Sequence, residues 1–217
     1  GTQALGYHHE TCLGGSTNFY RRANGLFILD ECRRFWIERD RELCDDVLLH
    51  LATTSGPFEA FIDVTDPRFS EPGDMPLKIQ AFCRDSGQEI PRKPGQLIRC
   101  VLESLALHYR RLFFETELLT GSRFSRVYLF GANENTLLNH FVVDALQVPA
   151  VIASPDAAVI GNIVVQALTL GHIQSLEAAH EILRNSYKIQ AIIPHQSDWD
   201  TAAERARELT SVPVSAT

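Results

Sequence analysis

An apolar, β-prone run, Val127-Tyr128-Leu129-Phe130, stops at Gly131. A polar cluster, Ala132-Asn133-Glu134-Asn135, follows, and an amphipathic run begins at Thr136-Leu137-Leu138-Asn139-His140. Strand, tight turn and helix start in that order tightly constrain the fold. A second unit follows in Ala150-Val151-Ile152-Ala153-Ser154-Pro155-Asp156 and leads to Gly161-Asn162 on another helix. Two such units in tandem predict an α/β sheet with helices packed on it. They also turn free backbone N–H groups and helix N-termini toward one edge, where an anionic ligand can sit.

At 217 residues the chain suits one large domain or one lobe of a bigger protein. A net charge of −7 argues against binding a nucleic-acid backbone, which needs clustered cations. It is no obstacle to one phosphate chain, which a few local donors can hold. The apolar stretch from Phe141 to Leu170 is broken by Asp144, Gln147, Pro149, Asp156 and Asn162, so it reads as a buried core. No run reaches the roughly 20 apolar residues of a membrane span. The five cysteines, Cys12, Cys32, Cys44, Cys83 and Cys100, form no Cys-x-x-Cys pair. Neither a zinc ribbon nor a redox motif is indicated, and a reduced, cytoplasmic setting is expected. The chain opens on Gly1-Thr2-Gln3 without an initiator Met, and it reads as a piece cut from a longer protein.

A strand is expected over Thr2 to Tyr7, and a Gly/Ser/Thr/Asn-rich loop over Cys12 to Tyr20. Helices are expected from Gly25 and over Arg41 to Ala52, with a short strand at Glu59 to Val64. Asp74 is placed to cap a helix that ends near Gly87. The longest helix is expected from Pro94 to about Leu119, its apolar stripe running from Leu97 to Phe113 and Gly121 stopping it. Beyond it the pattern reads strand (Arg126 to Phe130), helix (Asn135 to Ala145), strand (Ala150 to Ala153), and helices at Ala158 to Leu170, Ser175 to Asn185 and from Asp198. Residues 1–210 are expected to form one lobe, and residues 211–217 a flexible tail.

Among candidate sites the Gly131 turn leads; its plain alternative is a strand-to-helix connection capped by Asn133 or Asn135. No Gly-x-x-x-x-Gly-Lys-Ser/Thr and no Gly-x-Gly-x-x-Gly occurs, which argues against a P-loop or dinucleotide site. His8-His9-Glu10 with Cys12 lacks the spacing of a helical metal site. The pairs Arg21-Arg22, Arg33-Arg34 and Arg110-Arg111 read as solvated faces or local ion pairs, since helix neighbours diverge. His140 and His180 lie in expected helices and read as ordinary helical residues.

Several segments together resemble the C-terminal half of rhamnulokinase-type sugar kinases of the FGGY carbohydrate kinase family. Gly1-Thr2 is similar to the start of a Gly-Thr-Trp-Ser strand. Gly25-Leu26-Phe27-Ile28-Leu29-Asp30-Glu31-Cys32-Arg33-Arg34 is similar to a Gly-Leu-Trp-Leu-Leu-Gln-Glu-Cys-Arg-Arg helix. Asp66-Pro67-Arg68-Phe69, Ile79 to Pro91, Arg99 to Leu107 and Gly161-Asn162-Ile163 extend the match over nearly the whole chain. The resemblance implies the C-terminal lobe of an actin-like, ribonuclease-H-like ATPase fold, with the N-terminal sugar-binding lobe absent. It implies ATP and Mg²⁺ as ligands of the full protein, and transfer of the γ-phosphate to a ketose such as L-rhamnulose. By it, Thr2 contacts the nucleotide phosphates, Gly131 and Asn135 line the nucleotide site, and Asn24 stands for a nucleotide-contacting asparagine. It assigns the catalytic Asp to a segment upstream of Gly-Thr, so no catalytic residue is expected in this chain, and the fragment alone should be inert.

Departures cluster at the nucleotide side. A Gly-Gly-Gly turn is Phe130-Gly131-Ala132 here, and the Trp after Gly-Thr is Gln3. A Gly-Pro-x-Glu-Ala loop is Ser154-Pro155-Asp156-Ala157, and the segment between Gly6 and Gly14 is shorter than the family's. These changes leave an alternative: a degenerate kinase-like module with a structural or partner-binding role.

Overall fold

The computed structural model describes residues 6–12, 15–23, 25–39, 42–130, 136–153, 156–186 and 190–210. Its contacts group into two compact units, residues 1–122 with 204–217, and residues 123–203.

The first unit is built around α4 (Pro94–Thr120). Pro94 supplies a preset φ at the first helical position, and Gln96 Oε1 accepts from the backbone N–H groups of Arg92 and Lys93. Gly121, in the left-handed region at φ 65°, ends the helix. The expected apolar stripe predicts one covered face. In the structure every residue from Cys100 to His108 is buried, so the middle of α4 is enclosed on all sides. The helices α1 (Phe27–Ile37) and α2 (Asp45–Thr54) pack on it, and α1 also packs on α3 (Met75–Asp85). The predicted cap of α3 is present, with Asp74 Oδ1 accepting from the Leu77 N–H at 3.3 Å.

Gly95 explains how closely α2 lies on α4. A Cβ there would stand 2.5 Å from the Leu51 carbonyl oxygen and 2.8 Å from Ser55 Oγ. The same junction is tied by Arg99, whose Nη1 donates to the Ala52, Thr53 and Ser55 carbonyls at 3.1–3.3 Å. These carbonyls lie at the C-terminal end of α2, where the helix runs out of its own N–H donors.

Two expectations for this unit are corrected. The loop expected over Cys12 to Tyr20 contains a strand, β2 (Thr17–Arg21), antiparallel to β1 (Tyr7–Thr11) with Tyr7 opposite Arg21 and His9 opposite Phe19. Diagonal stacking of Tyr7 on Phe19, with ring centroids 4.6 Å apart, holds the pair. The Tyr7 hydroxyl meets Thr116 Oγ1 at 2.9 Å and Arg21 Nη1 donates to the Glu115 carboxylate, so the hairpin is tied to α4. The strand expected at Glu59 to Val64 is not formed. Ala60, Phe61, Ile62 and Val64 are buried, but among the described residues no strand pairs with them. Instead the Phe58 N–H donates to Glu103 Oε2, the Phe61 N–H to Gln88 Oε1 and the Ile62 N–H to Ser104 Oγ, each at 2.9 Å. Side chains replace the ladder.

In the second unit β3 (Val127–Leu129) pairs in parallel with β4 (Ala150–Ile152), with α5 (Thr136–Leu146) as the connecting helix. β4 also pairs antiparallel with β5 (Gln190–Ile192), a strand the sequence pattern does not announce. Val143 of α5, Ala150, Ile152 and Ile192 form the core, with Val127 and Leu129 against it. Then come α6 (Ala157–Thr169), α7 (Leu176–Ser186) and α8 (Trp199–Thr210), the last divided between the two units at Glu204, each within one or two residues of expectation. Among the described residues no helix is long and apolar enough to cross a membrane.

Candidate functional site

The carboxyl edge of the β3–β4 pair is the candidate site. Leu129 and Ile152 end the paired strands side by side, and the Ala153 N–H donates to the Leu129 carbonyl at 2.9 Å, so both chains leave the sheet at one edge. Each strand then feeds a helix, α5 from β3 and α6 from β4. In sequence, both helices thus follow strands that end at one edge, the side of an open α/β sheet that receives ligands. At α6 the Ile160 N–H donates to the Asp156 carbonyl at 2.9 Å, closing the first turn.

The side chains of β3 alternate as a strand requires. Val127 and Leu129 lie on the core, while Tyr128 is 57% exposed and Phe130, just past the strand end, is 69% exposed. Two aromatic rings thus stand on the solvent side at the carboxyl end of β3. Sequence reasoning marked Phe130 as a departure and overlooked Tyr128, although strand alternation carried that signal.

All four residues proposed for nucleotide contact, Thr2, Asn24, Gly131 and Asn135, lie outside the described residues. Thr2 and Asn24 belong in sequence to the first unit, Gly131 and Asn135 to the second. The described flanks are consistent with the strand–turn–helix order at Gly131, since β3 ends at Leu129 and α5 starts at Thr136.

Other polar groups singled out in the sequence have structural partners. Arg21 pairs with Glu115, Arg33 with Asp45 and Asp30, and Arg34 with Glu31. Arg111 Nη2 meets His108 Nδ1 at 3.3 Å. Arg34–Glu31 is the expected local helix ion pair, whereas Arg21 instead bridges β2 to Glu115 of α4, 94 residues away. His8 and His9 point to opposite faces of β1, one against Tyr20 and the other against Phe19. Among the described residues no group of three His, Cys, Asp or Glu could hold a metal ion.

A buried polar network escaped the sequence reading. Glu103, 1% exposed, accepts from Arg99 Nε at 2.7 Å through one oxygen and from the Phe58 N–H through the other. Burial pushes its carboxyl above the usual range, against the pull of Arg99. An Arg and a Glu four apart on a helix are ordinary surface partners, so nothing in the spacing marks this pair as buried.

The model of the FGGY family of carbohydrate kinases, C-terminal domain, matches residues 5–170. A rhamnulokinase of Bacteroides thetaiotaomicron is 30% identical over 203 residues, covering 93% of this chain and 41% of its own length. A rhamnulokinase of Klebsiella pneumoniae is 34% identical over 188 residues, covering 84% of this chain and 37% of its own. The chain thus spans about two fifths of the length of these curated relatives. Among solved structures, the xylulose kinase of Rhodospirillum rubrum superposes with a TM-score of 0.60 at 16% identity, over 90% of this chain and 38% of that one. The ADP-bound glycerol kinase of Plasmodium falciparum gives 0.59 at 12% identity, over 83% and 37%. The fold is the expected α/β, actin-like class of these kinases.

Proposed function

The chain belongs to the FGGY family of carbohydrate kinases as a C-terminal domain, and on that premise we propose that it is the ATP-binding lobe of a kinase acting on a ketose such as L-rhamnulose. One observation carries this reading: the family match runs through a parallel strand pair, each strand of which is followed in sequence by a helix. Helix N-termini and backbone N–H groups at such an edge stabilise phosphate oxygens, by roughly 0.3–1 kcal/mol per helix dipole plus the hydrogen bonds.

In this reading Gly131 and Asn135 line the nucleotide, Thr2 contacts its phosphates and Asn24 adds a further contact. Glycine at 131 lets backbone approach the ligand, where a branched side chain would occupy the space. Tyr128 and Phe130 border the approach to the turn. Mg²⁺ supplies charge neutralisation for the phosphates and travels with the nucleotide. No step is assigned to a metal held by this chain. Proton removal from the sugar hydroxyl belongs to an Asp of the whole protein's other half, so this fragment positions ATP and does not turn it over.

Titration calorimetry with Mg·ATP tests the reading. The chain should bind nucleotide at up to millimolar concentration, and Gly131→Val should abolish the heat while leaving the circular dichroism spectrum and melting midpoint unchanged. Equal nucleotide affinity in the two proteins would place the site elsewhere. Absence of binding to the wild-type chain, with no ketose phosphorylation by the full-length protein, would leave the degenerate, partner-binding module as the function.

A further inference from the structure

Tyr128 and Phe130 are 57% and 69% exposed at the carboxyl end of β3. A lone exposed apolar side chain needs no explanation, but two large rings together at a ligand-receiving edge do. The fold makes no use of them. The core face of β3 is Val127 and Leu129, packed with Val143, Ala150, Ile152 and Ile192. Across the sheet, Tyr128 stands level with Val151 of β4, and Val151 with Ala191 of β5. Those side chains are too short to cover a ring. Among the described residues neither ring stacks on another aromatic side chain.

The spacing of the two rings fits a flat guest. An extended backbone advances about 3.3 Å per residue and turns alternate side chains to one face, so positions 128 and 130 are about 7 Å apart on one side. Atoms in optimal contact are separated by about 3.5 Å. A planar ring entering between the two side chains would therefore touch one of them on each of its faces. Of the parts of a nucleotide, only the base has this shape and an apolar face to bury; the phosphates need hydrogen-bond donors instead. Phe130 also stands where the resembled turn carries glycine, so at this position the chain has gained a ring.

We propose that Tyr128 and Phe130 hold the purine base of the nucleotide by stacking. The contact presupposes the nucleotide-binding function proposed above and adds to it the residues that grip the base. Stacking tolerates any base, because every base has a π-face, so the rings select a base-bearing ligand over bare phosphate and discriminate weakly between purines.

Calorimetric titrations with Mg·ATP and with base-free Mg·tripolyphosphate separate the two ends of the ligand. Each is run on the wild-type chain, Tyr128→Ala and Phe130→Ala. Both side chains are exposed, so the melting midpoints should not move. Each alanine variant should lose roughly tenfold or more in ATP affinity and nothing in tripolyphosphate affinity. Tyr128→Phe and Phe130→Tyr keep the rings and should keep ATP binding, and GTP should bind the wild-type chain within about threefold of ATP. Unchanged ATP affinity in both alanine variants, beside a wild-type chain that binds ATP, would overturn the stacking contact and leave the nucleotide site standing. So would equal losses for ATP and tripolyphosphate, since the rings would then act on the phosphates' surroundings and not on the base. A wild-type chain that binds no ATP would sink the nucleotide site and the stacking contact together.

Discussion

His108 shows how a single buried titratable group sets a pH dependence. Only 8% exposed, it is held down to about 4 chiefly by burial, then by the Arg111 charge, with Asp63 opposing and Arg21 adding to the depression. The unfolded chain binds a proton on this ring near pH 6.5, whereas the folded chain does not until about pH 4. Stability from this group is therefore complete above about pH 6.5 and is lost as the pH falls toward 4, by up to about 3 kcal/mol. Denaturant titrations over that range should show this slope, and His108→Gln should flatten it. The Glu103–Arg99 pair makes a second prediction at this scale. Glu103→Ala strands the Arg99 charge and the Phe58 N–H, and should cost about 3–5 kcal/mol in chemical denaturation. A double-mutant cycle with Arg99→Ala should show strong coupling, because both changes break one network. Additive losses would mean that the two side chains act separately.

At the level of elements, α2 and α4 are joined through the absence of a side chain. Gly95→Ala would push a Cβ into the Leu51 carbonyl, which is backbone and has nowhere to rotate. A loss of about 1–3 kcal/mol is expected by thermal melting, even though alanine has the better helix propensity. An unchanged or raised melting midpoint would show that α2 shifts freely. The elements also show what could be read beforehand. Long periodic segments such as α4 and the order β3–α5–β4–α6 were legible, because local spacing fixes which face is buried. β2 and β5 were not. β5 pairs with a strand about forty residues upstream and has only three residues, too few for a period, while β2, whose partner β1 lies just upstream, was masked by the polar, turn-like composition of its segment. The segment at Glu59 to Val64 misled because its apolar residues are indeed buried, as in a strand. Its hydrogen bonds go to side chains on other elements, which no local pattern encodes. For the candidate site, β3 and the helix α5 that follows it were legible from apolar and polar clustering, while the Gly131 turn between them lies outside the described residues. Thr2, Asn24, Gly131 and Asn135 came from family likeness, and they lie outside the described residues.

For the molecule as a whole, the segment from Phe58 to Ile62 has a consequence for the order of folding. Its amides are held by Glu103, Gln88 and Ser104, positions 45, 27 and 42 residues further along the chain. The bonds to Glu103 and Ser104 cannot form before α4 exists, and none of the three can form before the intervening chain has closed, an entropic cost that local helix contacts do not carry. The segment should therefore dock late, after the rate-limiting step. Ser104→Ala should accelerate unfolding while leaving the refolding rate nearly unchanged, in stopped-flow measurements across denaturant concentrations. A slowed refolding arm would instead place this irregular stretch inside the nucleus. On the expected outcome, the clamp on Phe58, Phe61 and Ile62 acts as a latch on the lifetime of the folded state and has little part in reaching it.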